Sequence, residues 1–127
     1  MKILALDYGS ARTGVAVSDP TGTIARPLCT IDGAASDEGL ARLRGLVRDE
    51  EAGRIVVGLP LTLRGEVGAQ AEETNRFVEQ LRGAVDVPVE TFDERFTTAL
   101  AGPGEGDDAR AAAHLLSSYL ERSRSRT

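Results

Sequence analysis

The chain has one cysteine and one histidine among its 127 residues. A lone cysteine, Cys29, forbids an intrachain disulfide. One Cys and one His cannot supply the N/S ligand set of a structural zinc site. A thiol nucleophile wants a base beside it, and His114 lies far along the chain. Cys29, in an apolar strand-like run, therefore reads as a small buried hydrophobe. His114, one position off a helical stripe, reads as a partly buried structural residue. No apolar run approaches the roughly 18 residues of a membrane-spanning helix. Met1-Lys2-Ile3-Leu4 enters a strand pattern directly, without the zones of a signal peptide, and a cytoplasmic location is expected. There is no internal repeat and no heptad pattern. Lysine is nearly missing too: every basic residue except Lys2 is arginine. Arginine suits phosphate contacts, and a GC-rich genome produces the same bias.

What is present is ordinary globular composition, 41% hydrophobic and 28% charged. A chain of this length buries a core without staples. One domain over residues 1–122 is expected, followed by a polar, mobile tail at 123–127. The net charge is −5 and the pI about 4.9, opposite in sign to the basic footprint of a nucleic-acid-binding surface. Carboxylates gathered around a metal ion would account for part of that charge.

Hydrophobic patterning predicts three strands in succession, over 2–7, 13–18 and 23–31. Pro27 cannot donate to a ladder, which puts the third strand at an edge. Ser36 or Asp37 caps a helix that runs to about Glu51, with Leu40, Leu43, Leu46 and Val47 on one face and Gly53 as its stop. A strand over 54–59, a loop over 60–68, a helix over 69–82 and a strand over 87–92 follow. Residues 93–98 begin a turn or short helix, and Gly102-Pro103-Gly104-Glu105-Gly106 breaks the chain. A last helix is expected from about Asp107 to Arg122. The order β-β-β-α-β-α-β-α describes an α/β fold. It has a mixed five-stranded sheet, antiparallel at first and then parallel through crossovers, with helices on both faces.

Ligands bind beyond the carboxyl ends of parallel strands. Asp7 ends the first strand, and Asp93 and Glu94 follow the fifth. Asp108, Ala112, Leu115 and Tyr119 form one stripe of the last helix, the stripe that faces the sheet. Carboxylates converging without matching cations either hold protons or bind a divalent ion. An all-oxygen set suits Mg²⁺ or Mn²⁺, and two such ions can drive phosphodiester cleavage. Each acid also has a plainer reading. Asp7 could form an Asx turn before Gly9, and Asp93 could cap the next helix. Glu94 could pair with Arg95 at the surface. Asp108 could be a charge favoured by the helix dipole, with Asp107 as the cap.

Leu6-Asp7-Tyr8-Gly9 is followed by Arg12-Thr13-Gly14-Val15-Ala16-Val17-Ser18-Asp19 and then Ala25-Arg26-Pro27-Leu28. Ile55-Val56-Val57-Gly58-Leu59-Pro60-Leu61 comes next, with Gly65 and Gln70. Asp93-Glu94-Arg95-Phe96-Thr97-Thr98 and the Asp108–Leu120 stripe complete the series. In this order and spacing the blocks resemble the YqgF (RuvX) family over nearly the whole chain. The resemblance implies an RNase H-like fold related to the RuvC resolvases. It implies a cytoplasmic, Mg²⁺- or Mn²⁺-dependent nuclease that processes the 5′ end of pre-16S rRNA, Holliday-junction resolution being the older proposal. By position it makes Asp7, Glu94 and Asp108 the catalytic metal ligands with Asp93 close by, and puts Arg12, Arg95 and Thr97 near the phosphates. Family members usually carry a longer, more basic stretch before the last-helix Asp, whereas residues 99–107 here contain no Lys or Arg. Substrate would then be held by Arg12, Arg26, Arg64, Arg95 and the C-terminal arginines. Three further readings compete with RNA cleavage. One is cleavage of a DNA junction, which needs a dimer for symmetric cuts. Another is a fold-retaining, non-catalytic ribosome-assembly factor. The third is nucleotide binding at the Asp-x-Gly turn, as in actin-like ATPases, although there is no room here for their second domain.

Overall fold

A computed structural model describes residues 1–97 and 108–125, residues 124 and 125 by their backbone alone. The strands are β1 (Lys2–Asp7), β2 (Arg12–Ser18), β3 (Ala25–Asp32), β4 (Ala52–Leu59) and β5 (Val89–Asp93). The helices are α1 (Asp37–Asp49), α2 (Ala69–Ala84) and α3 (Asp108–Ser125), and a 3₁₀ turn, Glu94–Phe96, follows β5. The sheet order is β3-β2-β1-β4-β5. β1 is antiparallel to β2 and β2 to β3, while β4 runs parallel to β1 and to β5. β3 is the expected edge strand, with Pro27 opposite Ala16 just past a shift in register.

The period of two along each strand sorts side chains onto two layers. Leu4, Leu6, Val15, Val17, Ile55 and Val57 pack with Leu43 of α1 and with Phe77, Val78 and Leu81 of α2. Ile3, Ala5, Ala16 and Val56 face the other way, against Ala112, Leu115, Leu116, Tyr119 and Leu120 of α3. Helices thus cover both faces, and β1 is buried between them.

Ser36 caps α1, its Oγ accepting from the Gly39 N–H at 3.0 Å, a contact that contributes about 1 kcal/mol. The stop of α1 differs from expectation. Glu50 is the C-cap, Glu51 takes the left-handed conformation at φ 54°, and Gly53 lies inside β4. The Met1 side chain lies over Gly53, where a Cβ would displace it. The polar tail also differs, because α3 continues through residues 123–125. The Gly102–Gly106 breaker and the Asp107 cap lie outside the described residues.

Candidate active site

Two glycines let the acids meet. Asp7 pairs with Gly14 across β1 and β2. A Cβ on Gly14 would overlap the Asp108 carbonyl and the Ala109 nitrogen. The first turn of α3 therefore lies directly on β2, and Asp108 comes in beside Asp7. On the other side, Gly58 follows the Leu6–Val57 pair and is itself opposite Phe92. A Cβ on Gly58 would stand 2.5 Å from Glu94 Oε1. Glu94 thus reaches over β4, across the gap that Gly58 leaves, to a hydrogen bond with Asp7.

Asp7 and Glu94 share two openings. One, of about 170 Å³, also includes Tyr8, Ser10, Gln70, Glu73 and Thr74. The other, of about 270 Å³, is closed by Thr97, Ala111 and Leu115. Burial raises the Asp7 carboxyl above its ordinary value and Asp108 raises it further, against a lowering by the hydrogen bond to Glu94. Glu94 is pushed up to about 7, first by burial, then by the charge of Asp7, its hydrogen bond with Asp7 and the charge of Asp93. The pair therefore holds a shared proton near neutrality. Among the described residues, Asp108 Oδ2 and Thr97 Oγ1 are buried with no hydrogen-bond partner. Asp108 Oδ2 does face Arg12 Nε at 3.3 Å.

Asp93 adjoins this group and is also tied to the turn. Its side chain caps the 3₁₀ turn by accepting from the Arg95 N–H at 2.9 Å. The Arg95 guanidinium grips the same carboxylate through Nε at 2.9 Å and Nη2 at 2.5 Å, which lowers the Asp93 pKa. So Asp93 caps the turn while its charge still bears on Glu94, and Arg95 is engaged there and packs on Gly65. Arg26 faces Glu50 at 3.8 Å, and Arg64 is exposed in the 60–68 loop. Of the arginines proposed for phosphate, Arg12 is the one beside the acids. Among the described residues, no three Asp, Glu, His or Cys side chains stand together as a ready metal-binding group. Asp7 and Glu94 are joined, and Asp108 is close enough to raise the Asp7 pKa. Glu73 is an acid at the same opening that the sequence reading missed. Its signal was the i, i+3 step from Gln70, beside the buried Ala71, Thr74 and Phe77 of α2.

A mixed sheet with this order, helices on both faces and acids beyond the carboxyl ends of its strands defines an RNase H-like protein. Its fold is similar to that of T. thermophilus RuvC in complex with Holliday junction substrate. The TM-score is 0.63 at 16% identity, covering 98% of this chain and 96% of that one. The model of the RuvX family, described as Holliday junction resolvase, matches residues 1–122, and the chain belongs to that family. A Chloroflexus aurantiacus relative is 50% identical over 99 residues, 78% of this chain and 65% of its own length. A Rubrobacter xylanophilus relative is 45% identical over 131 residues, 94% of this chain and 92% of its own. Both carry the name "Putative pre-16S rRNA nuclease". The chain thus spans just under two thirds of the first of these and nearly all of the second.

Proposed function

We propose that this chain is a divalent-cation-dependent nuclease that hydrolyses phosphodiester bonds in structured RNA, with the 5′ end of pre-16S rRNA as its substrate and the cytoplasm as its location. The observation that carries this reading is the Asp7–Glu94 pair, closed over Gly58 at the carboxyl ends of β1 and β5. Names borne by the relatives supply the RNA substrate.

The donor set fits a divalent ion in part. Two carboxylates forced together by burial are relieved by a cation of higher charge, and their oxygens suit Mg²⁺ or Mn²⁺. Asp7 and Glu94 would hold the ion, and Asp108, whose Oδ2 faces Arg12, is the third candidate. Such an ion supplies Lewis-acid polarisation and compensates developing negative charge. With such an ion bound, Glu94 would be held as the carboxylate. Arg12, more than half exposed beside Asp108, can meet a non-bridging phosphate oxygen. Thr97 lines the same opening as Asp7 and Glu94. Leu115 and Ala111 line one side of the acids.

Cleavage of an RNA precursor and of a four-way DNA junction, each with Mg²⁺, with Mn²⁺ and with chelator, tests this reading. RNA cleavage that stops with chelator is expected. Cleavage by Asp7→Asn at the wild-type rate would overturn the assignment. Preferential cutting of the junction would favour the second reading, DNA resolution, which rests on the family description and the RuvC-like fold.

A further inference from the structure

A second cavity, of about 400 Å³, opens on the far side of the Glu94–Phe96 turn, where β5 meets the second half of α3. That volume is within the range of small-molecule sites and admits a nucleoside. Its floor is Phe92, set edge-on to Tyr119 with ring centres 5.7 Å apart. Phe96 forms one wall and is 46% exposed, an apolar ring left open to solvent. The Arg122 guanidinium lies over that ring, 3.8 Å from its centre. At the opposite wall Arg54 donates from Nη1 to the Tyr119 hydroxyl at 3.0 Å. Among the described residues its Nε is buried and has no hydrogen-bond partner.

The acids of this cavity are already engaged. Glu90 accepts from the Tyr119 hydroxyl and faces Arg54 at 3.7 Å. Asp93 is gripped by Arg95. A bare cation therefore finds no spare carboxylate, and a simple anion would lie beside two carboxylates. A stackable ring with a guanidinium over it and the Arg54 guanidinium opposite suit a flat heteroaromatic group with polar edges, which is how proteins hold unpaired bases. The 3₁₀ turn advances about 2 Å per residue. Phe96 thus lies roughly 4 Å along the turn from Glu94, about one stacked nucleotide away.

We propose that this cavity is a subsite for an unpaired nucleotide of the strand being cut, its base stacked on the Phe96–Arg122 pair and its edge bonded to Arg54. The proposal rests on the nuclease reading and adds a requirement to it: substrates with a short single-stranded segment beside the scissile bond bind tighter than fully paired ones.

Fluorescence anisotropy in chelator tests this without cleavage. The probes are a blunt RNA hairpin and the same hairpin with an extension of about four unpaired nucleotides at either end. An extension should tighten binding by the wild type about tenfold. Phe96→Ala and Arg122→Gln should each remove most of that gain, and Phe96→Trp should restore it. The exposed position of Phe96 lets these variants fold, and their melting curves check that. No gain in the wild type, or a full gain retained by Phe96→Ala, overturns the subsite. Wild-type cleavage assays run in parallel separate the two claims. Cleavage without an extension gain removes the subsite and leaves the nuclease. A gain that Phe96→Ala abolishes, in a protein that cuts nothing, keeps the subsite and removes the nuclease.

Discussion

Replacing Glu94 by Gln is expected to lower cleavage by about 10³-fold while stabilising the cation-free protein at pH 8. Both effects come from one carboxylate placed where burial and Asp7 oppose its charge. Its folded pKa of about 7 lies above the ordinary 4.5 of an unfolded Glu. Between those values the native state keeps a proton that the unfolded state has lost. Stability from this group is therefore fully present below pH 4.5 and is lost as pH rises through 7. Solvent reaching the openings trims the loss to roughly 1–2 kcal/mol. Gln carries no charge at any pH, so the variant should keep its melting temperature from pH 5 to pH 8 where the wild type falls by several degrees. Mg²⁺ or Mn²⁺ should reverse the wild-type loss by binding the native state, and should do less for Glu94→Gln. Thermal melts across pH, with and without the ion, read all of this. A wild type that gains stability between pH 5 and pH 8 in chelator would contradict the account.

Gly14→Ala is expected to cost about 3 kcal/mol, the upper part of the range for overpacking. The added methyl would coincide with the Asp108 carbonyl and crowd the Ala109 nitrogen. A backbone cannot rotate away as a side chain can, so the first turn of α3 must lift from β2. Asp108 moves with it, and cleavage should fall together with stability. Gly83→Ala is the control: it lies in α2, with no atom within 4 Å of the added methyl, and should be neutral or stabilising by up to about 1 kcal/mol. Equal denaturant midpoints for Gly14→Ala and the wild type would show that α3 does not rest there.

The buried strands were readable because β1 and β4 are apolar on both faces, a pattern that leaves few alternatives. Asp7 and Asp108 were readable as strand-end and stripe positions. Less legible was the split between Asp93 and Glu94. Both follow the fifth strand, and only the fork of Arg95, two residues on, decides which acid is taken at the surface. The end of α1 was misread because Gly53 is an ordinary helix stop. The left-handed residue is Glu51 instead, and Gly53 lies inside β4. Gly14 and Gly58 were quoted as parts of motifs, but their purpose is tertiary. Each omits a side chain so that an element distant in sequence can approach, and strand patterning carries no mark of that.

α3 follows all five strands in the chain, yet among the described residues it is the helix that covers Ile3, Ala5, Ala16 and Val56. During synthesis the sheet can form and close its α1–α2 side while the opposite side stays bare. That bare surface is what chaperones hold and what aggregates form on. The same helix brings Asp108 to the acids, so a nascent chain has no assembled centre until its solubility is also secured. Folding order thereby delays the centre: Asp108 joins Asp7 and Glu94 only once α3 has been made and has docked on β2.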